Sequence, residues 1–223
     1  MSRILILRPQ PGADATTARA RAMGLDVRLL PLFAPEPIEW TPPASTAFDA
    51  LLLTSAHAAR LGGPALARYR ALPAYAVGTA TARALEQAGF AGVVAGSADG
   101  SAIAARIAAD GHRRLLHLAG TTIAPMDSDG LIVTRIAVYS MTATPPDPRL
   151  LSEAVEGAVL LVHSPRAGER AAAQIPVARR ATLHVVAISE AALATCGTGW
   201  ASARAAERPD DDEMLALAAR LCD

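Results

Sequence analysis

Lysine is missing from this 223-residue chain: all 21 basic side chains are arginine. The absence excludes a lysine Schiff base, a lysine general base and a P-loop, whose motif ends in GK[ST]. Acidic residues also number 21, so the formal net charge is zero and the pI is about 7.0. No surplus of one sign remains for the broad basic footprint of a nucleic-acid binder. Long apolar runs are missing too. Ala50-Leu51-Leu52-Leu53 and Ala158-Val159-Leu160-Leu161-Val162 have strand length, far short of the roughly 20 residues that cross a bilayer. Met1-Ser2-Arg3-Ile4 runs directly into a strand-like segment, without signal-peptide design. The only cysteines, Cys196 and Cys222, form no CxxC and read as reduced thiols of a cytoplasmic protein. The five histidines (His57, His112, His117, His163, His184) show no metal-ligand spacing, so no metal is expected. His117, His163 and His184 fall in apolar runs and read as core or sheet-surface positions.

What is present is hydrophobic (52%) and alternating. Strand-like runs at 3–8, 26–30, 49–54, 75–77, 93–95, 114–118, 131–139, 158–163, 183–188 and 201–205 are interleaved with alanine-rich helical stretches. The latter lie at 12–23, 57–69, 79–88, 101–110, 148–155, 165–174, from 190, and at 210–221. Such alternation predicts an α/β fold with parallel sheets covered on both faces. Proline clusters at Pro35, Pro37, Pro42 and Pro43, and at Pro145, Pro146 and Pro148, read as linkers. An internal repeat underlies the pattern. Arg3-Ile4-Leu5-Ile6-Leu7 resembles Arg114-Leu115-Leu116-His117-Leu118, and Leu51-Leu52-Leu53-Thr54-Ser55 resembles Leu160-Leu161-Val162-His163-Ser164. Ala76-Val77-Gly78 resembles Ala187-Ile188-Ser189, and Gly24-Leu25-Asp26-Val27 resembles Gly130-Leu131-Ile132-Val133. Two similar lobes are expected, joined by a two-segment linker, with a cleft between them for a small molecule.

In open α/β sheets, ligands bind at the carboxyl ends of strands. Those ends are polar here: Arg8-Pro9, Thr54-Ser55, Gly78-Thr79-Ala80-Thr81, Ser164-Pro165-Arg166 and Ser189-Glu190. Hydroxyls and helix N-terminal N–H groups suit carboxylates or phosphates, although the same residue types are ordinary helix caps. No GxGxxG follows the first strand, and Ser164 lies in no GxSxG elbow. Adjacent strand residues point to opposite faces, so His163 and Ser164 are no nucleophile–base pair. Asp127 and Asp129 read as a polar turn.

Taken in order, Arg8-Pro9, Thr54-Ser55, Ala76-Val77-Gly78-Thr79-Ala80-Thr81-Ala82, Leu118-Ala119-Gly120, Val138-Tyr139 and Val162-His163-Ser164-Pro165 resemble the uroporphyrinogen-III synthase family over nearly the whole chain. The resemblance implies two α/β lobes: a discontinuous one from 1–34 and 146–223, and a second from 38–140, with crossings at 35–37 and 141–145. It also implies a cytoplasmic, cofactor-free lyase, monomeric, with no nucleic-acid or membrane partner. Its substrate would be hydroxymethylbilane, a linear tetrapyrrole, cyclised with loss of water and inversion of the last ring to uroporphyrinogen III. The unassisted substrate closes without inversion, so the enzyme's task is largely to hold a conformation.

Residue by residue, the resemblance makes Tyr139 the candidate to assist hydroxyl departure. A phenol with the ordinary pKa near ~10 is a proton donor at neutral pH. Thr81 matches a threonine facing the cleft. Gly78 opens the same turn, and Thr54, Ser55 and Ser164 match hydroxyl positions at strand ends. Arg8 and Arg166 would pair with the substrate's carboxylates. Where members carry a glycine- and threonine-rich turn in the other lobe, this chain has Ser189-Glu190-Ala191-Ala192, leaving Ser189 as the nearest replacement. The alternative to the enzyme is a non-catalytic two-lobed module that binds or senses an anionic small molecule.

Overall fold

The computed structural model describes residues 3–96 and 99–222. In chain order the elements are β1 (Arg3–Ile6), α1 (Gly12–Ala22), β2 (Asp26–Leu29), β3 (Phe33–Pro37), β4 (Ala50–Leu53), α2 (Ala56–Leu61), β5 (Ala74–Val77) and α3 (Thr79–Gln87). There follow β6 (Val94–Gly96), α4 (Gly100–Ala109), β7 (Arg114–Gly120), β8 (Ile132–Ala143), α5 (Arg149–Glu153) and β9 (Val159–Val162). The last are α6 (Pro165–Gln174), α7 (Val177–Arg180), β10 (His184–Ala187), α8 (Glu190–Leu193), β11 (Ser202–Ala205) and α9 (Asp211–Ala219). The chain divides into a discontinuous unit, Met1–Ala34 with Ala143–Asp223, and a middle unit, Pro35–Thr142.

Each unit is organised by one sheet, of order β11-β10-β9-β1-β2 in the first and β3-β8-β7-β4-β5-β6 in the second. The paired strands with a recorded register are parallel. The expected α/β class, with two parallel-sheet lobes, is therefore what the chain adopts. The central strands β4 and β9 are apolar at every position because helices cover both faces. In β4 the faces separate cleanly. Leu51 and Leu53 join a core with Leu85 of α3, while Ala50 and Leu52 pack with Ile103 and Ile107 of α4. The discontinuous unit sets Ile4, Ile6, Val159 and Leu161 against Ala13 and Ala20 of α1 and Met214 and Leu215 of α9.

The repeat seen in the sequence is a repeat of sheet position and register. Ile4 pairs with Val159 and Ile6 with Leu161, while Leu115 pairs with Ala50 and His117 with Leu52. Strands β2-β1-β9-β10-β11 thus correspond to β8-β7-β4-β5-β6.

Some segments differ from expectation. The first proline cluster begins inside β3, an edge strand, where a missing N–H leaves no ladder bond unmade. The helix expected over 57–69 is split: α2 stops at Leu61, Gly63 adopts φ +68°, and Pro64–Tyr69 continues as a 3₁₀ helix. β8 runs past Tyr139 to Ala143, and α7 adds a turn of helix absent from the sequence reading. Among the described residues no helix is long and apolar enough to cross a membrane.

Candidate functional site

At the carboxyl end of the middle sheet lies a cavity of about 320 Å³. Thr54 and Ser55, just after β4, line it with Val77 of β5, His117 of β7 and Tyr139 of β8. Asp99 and Gly100 at the start of α4 and the loop 122–126 complete the wall. This is where ligands bind in open α/β sheets. A wider groove of about 650 Å³, along Pro37, Trp40 and Leu61, lacks this convergence of strand ends and hydroxyls.

Tyr139 is 8% exposed, and its ring lies 5.4 Å from that of His57, tilted by 54°. A β-carbon at Gly120 would stand 2.8 Å from Tyr139 Cζ and 3.0 Å from its hydroxyl, so glycine there makes room for the phenol. Burial lowers the His57 pKa, with the Arg60 charge adding to it, so this imidazole is neutral at pH 7. His117 is 1% exposed, and its Nε2 lies 3.1 Å from Thr54 Oγ1. Burial, helped by Arg135, pushes its pKa down to about 4. The sequence alone reads His117 as an ordinary core position. The visible signal is one imidazole within Leu115-Leu116-His117-Leu118.

Other residues singled out in the sequence hold structural posts. Ser55 caps α2, its Oγ accepting from His57 N at 3.2 Å. Ser164 caps α6 by accepting from Ala167 N, and Ser189 caps α8 by accepting from Ala192 N. Gly78 precedes α3 at φ +78°, a conformation that favours glycine, and open space surrounds its would-be β-carbon. Thr81 lies in α3 at 4% exposure and is not part of the cavity wall. Arg166 is exposed, with Cζ 4.7 Å above the Phe33 ring.

Arg8 donates from Nη1 to both carboxylate oxygens of Asp211, at 2.8 and 3.0 Å. Asp211, 7% exposed, also accepts from Thr16 Oγ1 at 2.6 Å and from Arg19 Nη2 at 2.9 Å, and His163 Nε2 lies 3.0 Å away. Burial alone would raise its pKa. Hydrogen bonds from His163 and Thr16 and the charges of Arg8 and His163 outweigh that and hold it well below the usual carboxylate range. The sequence alone suggests only a helix-start carboxylate for Asp211. No group of three or more potential metal ligands occurs among the described residues.

Two parallel-sheet α/β units, one with a hydroxyl-edged cavity at its strand ends, define the class: a bilobal α/β protein built to take a small molecule. The chain belongs to the uroporphyrinogen-III synthase family, whose model, described as Uroporphyrinogen-III synthase HemD, matches residues 14–216. The family places it among the lyases of tetrapyrrole biosynthesis, with a substrate of the tetrapyrrole class. Among solved structures, it is similar to uroporphyrinogen-III synthetase from Helicobacter pylori 26695, at 20% identity and TM-score 0.62, covering 99% of this chain and 100% of the other. That likeness shows the fold. A mutant uroporphyrinogen III synthase from the extremely thermophilic bacterium Thermus thermophilus aligns at 18% identity over 100% of this chain and 99% of its own, with a TM-score of 0.46, too loose to carry an argument. No curated protein sequence matches significantly.

Proposed function

We propose that this protein cyclises hydroxymethylbilane to uroporphyrinogen III and water, inverting the last pyrrole ring, and that the middle unit's cavity holds the reacting end. The observation that supports this most is the Tyr139 phenol, set in the cavity wall across Gly120 and near the hydroxyls of Thr54 and Ser55. Departure of hydroxide from an electron-rich pyrrolylmethyl carbon is eased when a proton is donated to the leaving oxygen. Tyr139 supplies that proton, and water leaves. The azafulvene cation that remains is attacked by the substituted carbon of the last ring, giving a spiro centre that fragments and recloses inverted. The proton lost from the pyrrole at the end balances the one donated. Restraint of the bilane decides which carbon attacks.

Thr54 and Ser55 orient the substrate in the cavity; Gly78 and Thr81, outside its wall, shape the start of α3 beside Val77, which lines the cavity. In the discontinuous unit, Arg8, Ser164, Arg166 and Ser189 meet substrate carboxylates, the arginines through their charge-assisted donors. The protein acts as a monomer in the cytoplasm, without nucleic acid; its zero net charge supports the last point.

Incubation with hydroxymethylbilane followed by isomer analysis tests the reading. The type III isomer is expected, and type I alone would overturn it. Tyr139→Phe is expected to lower turnover by about 10²-fold, within the range of a lost general acid, while product binding stays near wild type. Equal turnover would remove Tyr139 from the mechanism.

A further inference from the structure

His117 is a costly residue for its position. It lies at 1% exposure in the central strand β7, paired with Leu52, and its Nδ1 has no hydrogen-bond partner among the described residues. A buried polar atom without a partner is unfavourable, so a fold-only role would select an apolar side chain. The other sheet demonstrates this. Ile6 of β1 pairs with Leu161 of β9 in the same register as His117 pairs with Leu52, and Ile6 is fully buried. Its neighbour at the strand end also differs. His163 of the discontinuous unit stands where Thr54 stands in the middle unit, and it bonds Asp211 rather than β1. At these equivalent positions the imidazole–hydroxyl pair occurs in the middle unit, the one whose cavity it lines, and not in the other.

The pair has a direction. Burial, with the Arg135 charge on neighbouring β8, lowers the His117 pKa to about 4, so the ring carries a single proton at neutral pH. Tyr139 and Asp99 share the cavity wall, and His57 lies beside Tyr139. A proton on Nδ1 would leave a buried N–H donor unpaired. A proton on Nε2 makes the bond to Thr54 Oγ1 and leaves only an acceptor unpaired, the less costly arrangement. Thr54 Oγ1 then accepts from His117, and its own proton is available to an acceptor in the cavity.

We propose that His117 is a positioning residue: as the Nε2–H tautomer it fixes Thr54 as a hydrogen-bond donor into the cavity, aimed at an anionic oxygen of the ligand. The inference rests on the reading that this cavity holds the tetrapyrrole, whose carboxylates are such acceptors. It concerns binding, so it separates KM from kcat.

Nitrogen-15 NMR of the histidine-labelled full chain reads the tautomer directly. Nε2 protonated and Nδ1 bare, unchanged between about pH 5 and 9, is expected; an Nδ1–H tautomer overturns the proposal. In kinetics, His117→Ile copies Ile6 and is expected to keep the urea midpoint at or above wild type. Its KM should rise about tenfold, the size of one lost hydrogen bond, with kcat little altered. Thr54→Val should raise KM similarly, and the double variant should be no worse than Thr54→Val alone. His117→Gln, which can carry an amide N–H to the place of Nε2, should recover most of the loss. An unchanged KM in His117→Ile, or additive losses in the double variant, overturns the inference while leaving the family reading intact. Should the wild type form only the type I isomer, the proposed reaction falls while family membership stands, and the inference is then decided by the NMR alone. In that case Nε2–H upholds it and Nδ1–H sinks it.

Discussion

Asp211 gathers Arg8, Arg19, Thr16 and His163 around one buried carboxylate and so ties α1, α9 and the ends of β1 and β9 together. Asp211→Asn would leave those donors facing a weaker, uncharged acceptor, and should cost about 2–4 kcal/mol in urea denaturation at pH 7. The folded pKa lies below the unfolded one, so the contribution is fully present above the ordinary value near ~3.9 and is lost as pH falls below it. The gap between wild type and Asp211→Asn should narrow between about pH 5 and pH 2; a constant gap would deny the ionic origin. Gly120→Ala tests another close contact. Its methyl would push the Tyr139 ring aside, and turnover should drop by about 10²-fold with near-native circular dichroism. That Thr54 and Ser55 follow a strand was legible in the sequence because strand ends are; Tyr139 was singled out only by the family resemblance, and it lies inside β8, which runs on to Ala143. The engagement of Arg8 by Asp211 was not legible, since the two lie about 200 residues apart and only the fold joins them. His117 was missed because a lone histidine in a leucine run reads as core until its partner, Thr54, is known.

Helix starts carry much of the polarity noticed in the sequence. Ser55, Ser164 and Ser189 all present Oγ to a backbone N–H of the following turn, and Asp99 and Asp210 do the same for α4 and α9. In α6, Ser164→Ala should lower stability by about 1 kcal/mol, whereas Ser164→Gly should cost only a few tenths. A chemical-denaturation series on the two variants checks this; equal losses would mean that the hydroxyl is not the cap. Strand and helix alternation was legible because β4, β7 and β9 are too apolar for anything but a covered sheet. The split after α2 and the strand character of β3 were not. Glycine and proline mark a break without saying whether the chain turns, tightens to 3₁₀ or runs along a sheet edge.

The two units have separate cores, each resting on its own sheet. Leu52→Ala, at a fully buried site, should cost about 2–5 kcal/mol, read by native-state hydrogen exchange. Amides of β4, β5 and β7 should lose protection, while those of β9 and β10 keep theirs. Uniform loss across both sheets would show a single cooperative unit. The sequence repeat points to two copies of one sheet plan, but on its own it divides the chain into a front and a back half; the exchanged arrangement is what the family resemblance implies.

The order in which the chain emerges from a ribosome follows from that plan. The middle unit is one continuous stretch and can close as soon as β8 is made. By contrast β1, fully apolar from Ile4 to Ile6, finds β2 within about 30 residues but must wait for its other neighbour, β9, more than 100 residues further on. At roughly 5–20 residues per second, that is a delay of about ten seconds, more or less twofold. Throughout it, a sticky strand edge stands open to other nascent chains and to chaperones. Synthesis speed across 38–158 therefore bears on yield, and slow codons there should favour aggregation through the open edge of the β1-α1-β2 unit.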